Sequence, residues 1–125
     1  MRKVRYVRLY ADADGESHFS DEEMELRPVN FAPPAPPLDL SAFTPTKQMA
    51  LIAAPAGWFG DWHPAPHRQF FFHMAGEVEV QASDGEVRRL GPGSIFLVED
   101  TAGKGHTSRI VGGDATAAVV QVAES

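Results

Sequence analysis

From residue 49 onward the chain is written as short apolar runs separated by turn signals at roughly ten-residue spacing, a pattern that strands satisfy and long helices do not. Residues 49–54, 69–74 and 95–98 are the apolar runs, and residues 77–82 alternate charged side chains with Val. Asp84-Gly85 is a strong two-residue hairpin signal between residues 77–82 and 86–90. Gly91-Pro92-Gly93 breaks the chain again, and residues 106–111 and 115–122 flank Gly112-Gly113. The uninterrupted run Ile95-Phe96-Leu97-Val98 predicts a strand buried on both faces. With residues 4–10, which alternate and are rich in β-formers, this gives roughly eight strands. No heptad, long amphipathic helix or internal repeat is present, so the expected class is all-β, a small barrel or jelly roll.

Size and charge narrow the function. The 125 residues carry 11 Lys and Arg against 17 Asp and Glu, a net charge of −6. That predicts one acidic domain over residues 1–125, with residues 1–47 as an N-terminal strand, acidic loop and arm, and residues 48–122 as the barrel. A chain of this size buries about two-thirds of its unfolded surface and needs no disulfide staple. The acidic balance argues against nucleic acid and against anionic membranes, since both demand a basic face. The opening Met-Arg-Lys-Val-Arg is followed by alternating residues rather than an apolar stretch, so the expected location is the cytoplasm. The absence of Cys removes thiolate nucleophiles and thiolate metal sites, leaving His, Asp, Glu and Gln as candidate ligands.

The N-terminal third reads differently. Nine of the ten Pro lie at or before Pro66, and five of them fall within residues 28–37, which predicts an extended polyproline arm wrapped on a surface. Residues 12–25 hold seven acids and no Lys or Arg, which fits a hairpin or an exposed loop. Ser20 with Glu23 also allows a short capped helix. Phe31, Leu38, Leu40 and Phe43 have little to bury within so small a domain, so the strand and arm are expected to pack outside the barrel, across a second subunit of a homodimer.

Three of the five His, His63, His67 and His73, fall within eleven residues and share their parity with Ala65, Gln69 and Phe71. In one extended strand all six would project from the same face. Neutral imidazole suits Zn, Fe, Ni and Cu, so a metal is one reading of that face. Alternatively, His73 among three Phe is a hydrogen-bonded interior histidine, His67 a rim residue and His18 a solvated one. Two other chemistries fail on spacing: there is no G-x-S-x-G elbow, and Ala102-Gly-Lys-Gly-His-Thr lacks the spacing of a phosphate loop.

The order of these signals resembles the two motifs of the cupin superfamily. Gly57 stands at the opening glycine of the first motif, His63 at its first His, Ala65 at its second, Gln69 at its Glu and Gly76 at its closing glycine. Gly93 and Gly103-Lys-Gly-His106 match the second, with about two extra residues in the connection and no Pro. Two of the four ligand places are therefore altered. The strings DWHPAPHRQ, SDGEVRRLGPG and LVEDTAGKGHTSR look like those of short, single-domain bacterial cupins. The resemblance covers residues 48–122 and implies a cupin-type double-stranded β-helix, a jelly-roll barrel. It implies a metal set in which His67 replaces the imidazole missing at Ala65, so that His63, His67, Gln69 and His106 would hold a divalent Zn, Fe, Ni or Mn. A small-molecule substrate would then sit among Trp58, Trp62, Phe71 and His73. The implied function is a metal-dependent oxygenase, isomerase or lyase acting on a small organic molecule. The alternative is a metal-poor cupin that binds a small molecule without catalysis. The loop at residues 99–105 is expected either to form a polar lip on that pocket or only to link strands.

Overall fold

The computed structural model describes residues 2–123. Nine strands follow one another: β1 (Arg2–Ala11), β2 (Ser17–Val29), β3 (Leu38–Leu40), β4 (Thr46–Ala54), β5 (Phe59–His63), β6 (Gln69–Ala82), β7 (Val87–Leu90), β8 (Ile95–Val98) and β9 (His106–Val122). Among the described residues there is no helix, and so none long and apolar enough to cross a membrane. The strands hydrogen-bond in the order β3-β2-β1-β8-β6-β9-β4, with β5 added on β9 and β7 on β6. The β1–β8 pair is parallel and the other pairs are antiparallel. The fold is thus an all-β mixed sheet.

Two long strands turn this sheet into two layers. β6 slips register between His73 and Ala75 and again between Ala75 and Glu77, which bends it sharply. Before the bend, Gln69–His73 pairs with Ala117–Gln121 and with β8; after it, Glu77–Ala82 pairs with His106–Val111 and with β7. Gly76 is what permits the corner: its φ is 76°, and a Cβ there would lie 2.6 Å from the carbonyl oxygen of Asp114.

The layers close on an apolar core. Val80, Ala82 and Leu90 of the second layer are buried against Leu9, Phe19, Phe96 and Val98 of the first. Each fully buried aliphatic side chain of this kind stabilises the fold by about 1.5–3 kcal/mol relative to exposure. A second cluster, Phe70, Leu97 and Val122 with Tyr6, Met24 and Val120, covers part of the opposite face of the first layer.

The N-terminal third departs from its expected place. β1 is not an outer strap; Leu9 is fully buried and Val7–Leu9 pairs with Phe96–Val98, so β1 belongs to the body of the sheet. Of the readings the acidic stretch allowed, the hairpin holds: residues 12–16 form the turn between β1 and β2, and no helix forms. In β2, Glu23 and Glu25 stand opposite Arg5 and Lys3, so cross-strand charge pairing supports a strand that composition alone disfavours. The Pro-rich segment is confined to a turn at residues 30–37, and Phe31, Leu38 and Phe43 are exposed.

Candidate functional site

Between the layers lies a cavity of about 370 Å³, walled chiefly by apolar side chains: Phe71, Val78, Val80, Phe96, Val98 and Ile110 among them. Polar groups reach it from few places: His63 on β5, Gln69 and His73 on β6, His106 and Ser108 on β9, and Thr116 beyond the bend.

Backbone contact sets the most conspicuous pair. Gly105, with φ of 74°, lies so close to β5 that a Cβ would fall 2.1 Å from the carbonyl oxygen of His63. This approach brings His63 opposite His106 in register, with ring centroids 4.7 Å apart. Each ring is then oriented by its Nδ1. His63 Nδ1 lies 2.6 Å from the backbone carbonyl oxygen of Asp61, a group that can only accept, so Nδ1 carries the proton and donates. His106 Nδ1 lies 2.6 Å from a carboxylate oxygen of Asp100, which is fully buried. The partner of each Nδ1 leaves Nε2 as the free nitrogen, an acceptor when the ring is neutral. Trp58 packs beside them: its indole lies over Gly60, where a Cβ would meet it at 2.7 Å.

Gln69 and His73 occupy the β6 wall. Gln69 is buried and lines the cavity. His73 is 8% exposed and its ring stacks on Phe71 at 6.3 Å. Burial pushes its pKa down, which favours the neutral ring.

Among the expected site residues, the structure brings His63, Gln69, His106, Trp58, Phe71 and His73 to one cavity and leaves two outside. His67 is exposed in a bend, and Trp62 projects from the outer side of β5. Parity fails for His67 because Pro64–Arg68 is not a strand; the face on which the six residues were counted is interrupted there. Among the described residues, no group of three His, Asp or Glu is placed to hold a metal ion.

Asp100, which the sequence left in a loop that either forms a polar lip or only links strands, is fully buried behind His106. Its backbone carbonyl accepts a hydrogen bond from Ala65, its side chain orients His106, and its second carboxylate oxygen has no partner among the described residues. Its neighbour Glu99 turns the other way and pairs with Arg8 and with Arg68 at 2.6 Å. Burial alone would raise the pKa of Glu99, but hydrogen bonds from both guanidinium groups outweigh it and hold the carboxyl below its usual range.

No family model matches this chain, and no curated protein does. Seven chains of known structure are similar to it. One is protein NMB1881 from Neisseria meningitidis, 16% identical over 60% of this chain and 72% of that one, with a TM-score of 0.45.

Proposed function

We propose that this chain is a cupin-type protein that binds a small, mainly apolar organic molecule through a hydrogen-bond donor held by His63 and His106. The cupin reading is supported by the bent long strands β6 and β9, and by the motif residues His63, Gln69 and His106 meeting at one cavity. One observation carries the binding reading. Both imidazoles spend Nδ1 on fixed acceptors within the protein, so two Nε2 acceptors stand together in an apolar enclosure. A hydroxyl, phenol or enol donates to such a pair while its apolar body fills the space between Phe71, Val80 and Ile110. Calorimetric titration with 4-propylphenol tests this: saturable binding that is lost in His106→Ala supports it, and no binding by wild type overturns it.

The resemblance also implies a resident divalent metal, and the donor set does not fit one. Two imidazoles and a neutral amide remain once His67 is placed outside, with no carboxylate to complete the set. Elemental analysis of protein purified without chelator or affinity tag tests this. Stoichiometric Zn, Fe, Ni or Mn that disappears in His106→Ala would overturn the metal-poor reading and restore that of a metal-dependent enzyme.

A homodimer is the second part of the proposal. Met49, Leu51, Phe72 and Met74 leave an apolar surface exposed, and Phe31, Leu38 and Phe43 of the same chain offer apolar side chains to cover its counterpart on a second copy.

A further inference from the structure

Three connections meet at one end of the molecule: the β1–β2 turn (residues 12–16), the β6–β7 hairpin turn (residues 83–86) and the segment 103–105 that leads into β9. The third sets the site, because Gly105 lies against the backbone of His63 and brings that residue opposite His106. The first two hold it there. A Cβ on Gly103 would fall 2.5 Å from the carbonyl oxygen of Gly15. The Lys104 amide donates to that same oxygen at 2.9 Å, and the Lys104 ammonium pairs with Glu16 at 2.5 Å. Fully buried Ser17 joins all three connections. Its hydroxyl donates to the Gly105 carbonyl and accepts from the Ser83 amide, both at 2.7 Å, while its own amide donates to Ser83 Oγ.

His18, the next residue, braces the two turns. Its Nε2 lies 2.7 Å from Asp12 Oδ2 and its Nδ1 2.9 Å from Asp84 Oδ2. Each carboxylate is tied into its own connection by the other oxygen: Asp12 Oδ1 accepts from the Asp14 and Glu16 amides, and Asp84 Oδ1 from the Glu86 amide. A carboxylate oxygen only accepts and a neutral imidazole has one N–H, so both contacts are hydrogen bonds only in the imidazolium. The neutral ring sets a lone pair against one of the two anions. The groups around it supply no substitute: Tyr10 packs on the ring from β1 at 5.6 Å between centroids, Arg8 lies over Tyr10, and Lys104 beside Asp12 is paired with Glu16. The hydrogen bonds to Asp12 and Asp84 hold the His18 pKa above its ordinary value. The brace is therefore complete below about pH 6.5 and is lost as pH rises through the folded value.

Resting on the binding reading above, we propose that His18, as an imidazolium, is a positioning residue for the His63–His106 pair. It clamps together the turn and the hairpin on which segment 103–105 rests, and its deprotonation slackens the approach of Gly105 to His63. His18 does not line the cavity. Affinity for the ligand thus falls towards alkaline pH through a group that the ligand never touches.

Two readouts need no ligand: hydrogen exchange of the Lys104 amide, and the NMR cross-peak between the ring protons of His63 and His106. A third is the affinity for 4-propylphenol. Each is measured at about pH 5.5 and about pH 8.5, on either side of the His18 transition. In wild type the Lys104 protection factor and the affinity should each fall about threefold at the higher pH, the low end for one net hydrogen bond because His18 is partly solvated. The ring cross-peak should weaken with them. Asp84→Asn discriminates: its Oδ1 still accepts from Glu86, and its amide nitrogen replaces Oδ2 and donates to the neutral ring, so all three readouts should hold or rise at the higher pH. His18→Gln should leave Lys104 weakly protected at both. Titration of His63 and His106 is common to wild type and variants, so the difference between their pH profiles isolates His18. Identical profiles in wild type and Asp84→Asn would overturn the inference, as would Lys104 protection that follows pH while the ring cross-peak does not. If wild type binds no 4-propylphenol, the binding reading fails by itself, and the two ligand-free readouts still support or overturn the positioning role.

Discussion

Two uninterrupted apolar runs, residues 95–98 in β8 and residues 49–54 in β4, have opposite fates. β8 lies between β1 and β6, and Phe96, Leu97 and Val98 are buried on both of its faces. β4 ends the sheet order and pairs with β9 alone; Leu51 is 72% exposed and Met49 59%. Hydropathy is therefore not what separates a core strand from an edge strand here. The number of hydrogen-bonded neighbours is, and a bare apolar edge is a surface on which a second chain gains by packing.

Four measurements break or sharpen that contrast. The largest effect is expected at β8, where Phe96→Ala should cost about 3–5 kcal/mol in urea unfolding, because it empties a site enclosed by both layers. A loss near that seen at exposed positions would refute the enclosure of β8. At β4, Leu51→Lys should convert the proposed dimer to a monomer of 13.6 kDa by light scattering, while changing urea stability at low protein concentration by no more than about 0.5 kcal/mol. A wild type that stays monomeric at high concentration would remove the proposed role of this edge.

Next comes the end of β8. Glu99 pairs with Arg8 and Arg68 and does not line the cavity, so Glu99→Gln should cost about 2 kcal/mol at neutral pH and leave probe binding intact. Its folded pKa is depressed, so the stabilisation is present above the usual carboxylate range of about pH 4 and fades as pH falls through the folded value. A pH-independent difference between wild type and variant would contradict this assignment. The smallest effect belongs to half-buried His18, whose hydrogen bonds to Asp12 and Asp84 raise its pKa. Its contribution is complete below about pH 6.5, the unfolded value, and is lost as pH rises through the folded one. Proton NMR titration should show a raised midpoint for His18 that falls back in Asp84→Asn.

Much of the fold was legible because its signals are local. Asp84-Gly85 forms the expected hairpin between β6 and β7, with Gly85 at a φ of 98°, and Ile95–Val98 is the buried run that its composition predicts. The residue ranges 69–74 and 77–82 were legible as strands but not as one bent strand, since a bend that keeps its pairing on both sides reads in sequence like a turn. The acidic stretch was legible only as a hairpin, a loop or a short helix, because acids disfavour strands unless bases stand opposite, and those bases lie in β1. The site followed the same rule. His63 and His106 were named from the motif resemblance and meet at one cavity, whereas the broken parity at His67 and the burial of Asp100 depend on how the Pro64–Arg68 and Asp100–Gly105 connections turn, which no periodicity records.

β9 has a consequence for how the molecule is made. It hydrogen-bonds to β4, β5 and β6, and it follows all of them in the chain. During synthesis β1 and β2 can close their hairpin early, and β6 can pair with β7 and β8, but β4 and β5 have no neighbour in the body of the sheet until His106–Val122 emerges. The nascent protein must carry the exposed apolar β4 for the whole interval, and pairings of such long separation are slow to form. The cavity therefore reports on completion as well as on folding: its lining runs from Ile52 to Ala117, and it has no enclosing wall until β9 has emerged.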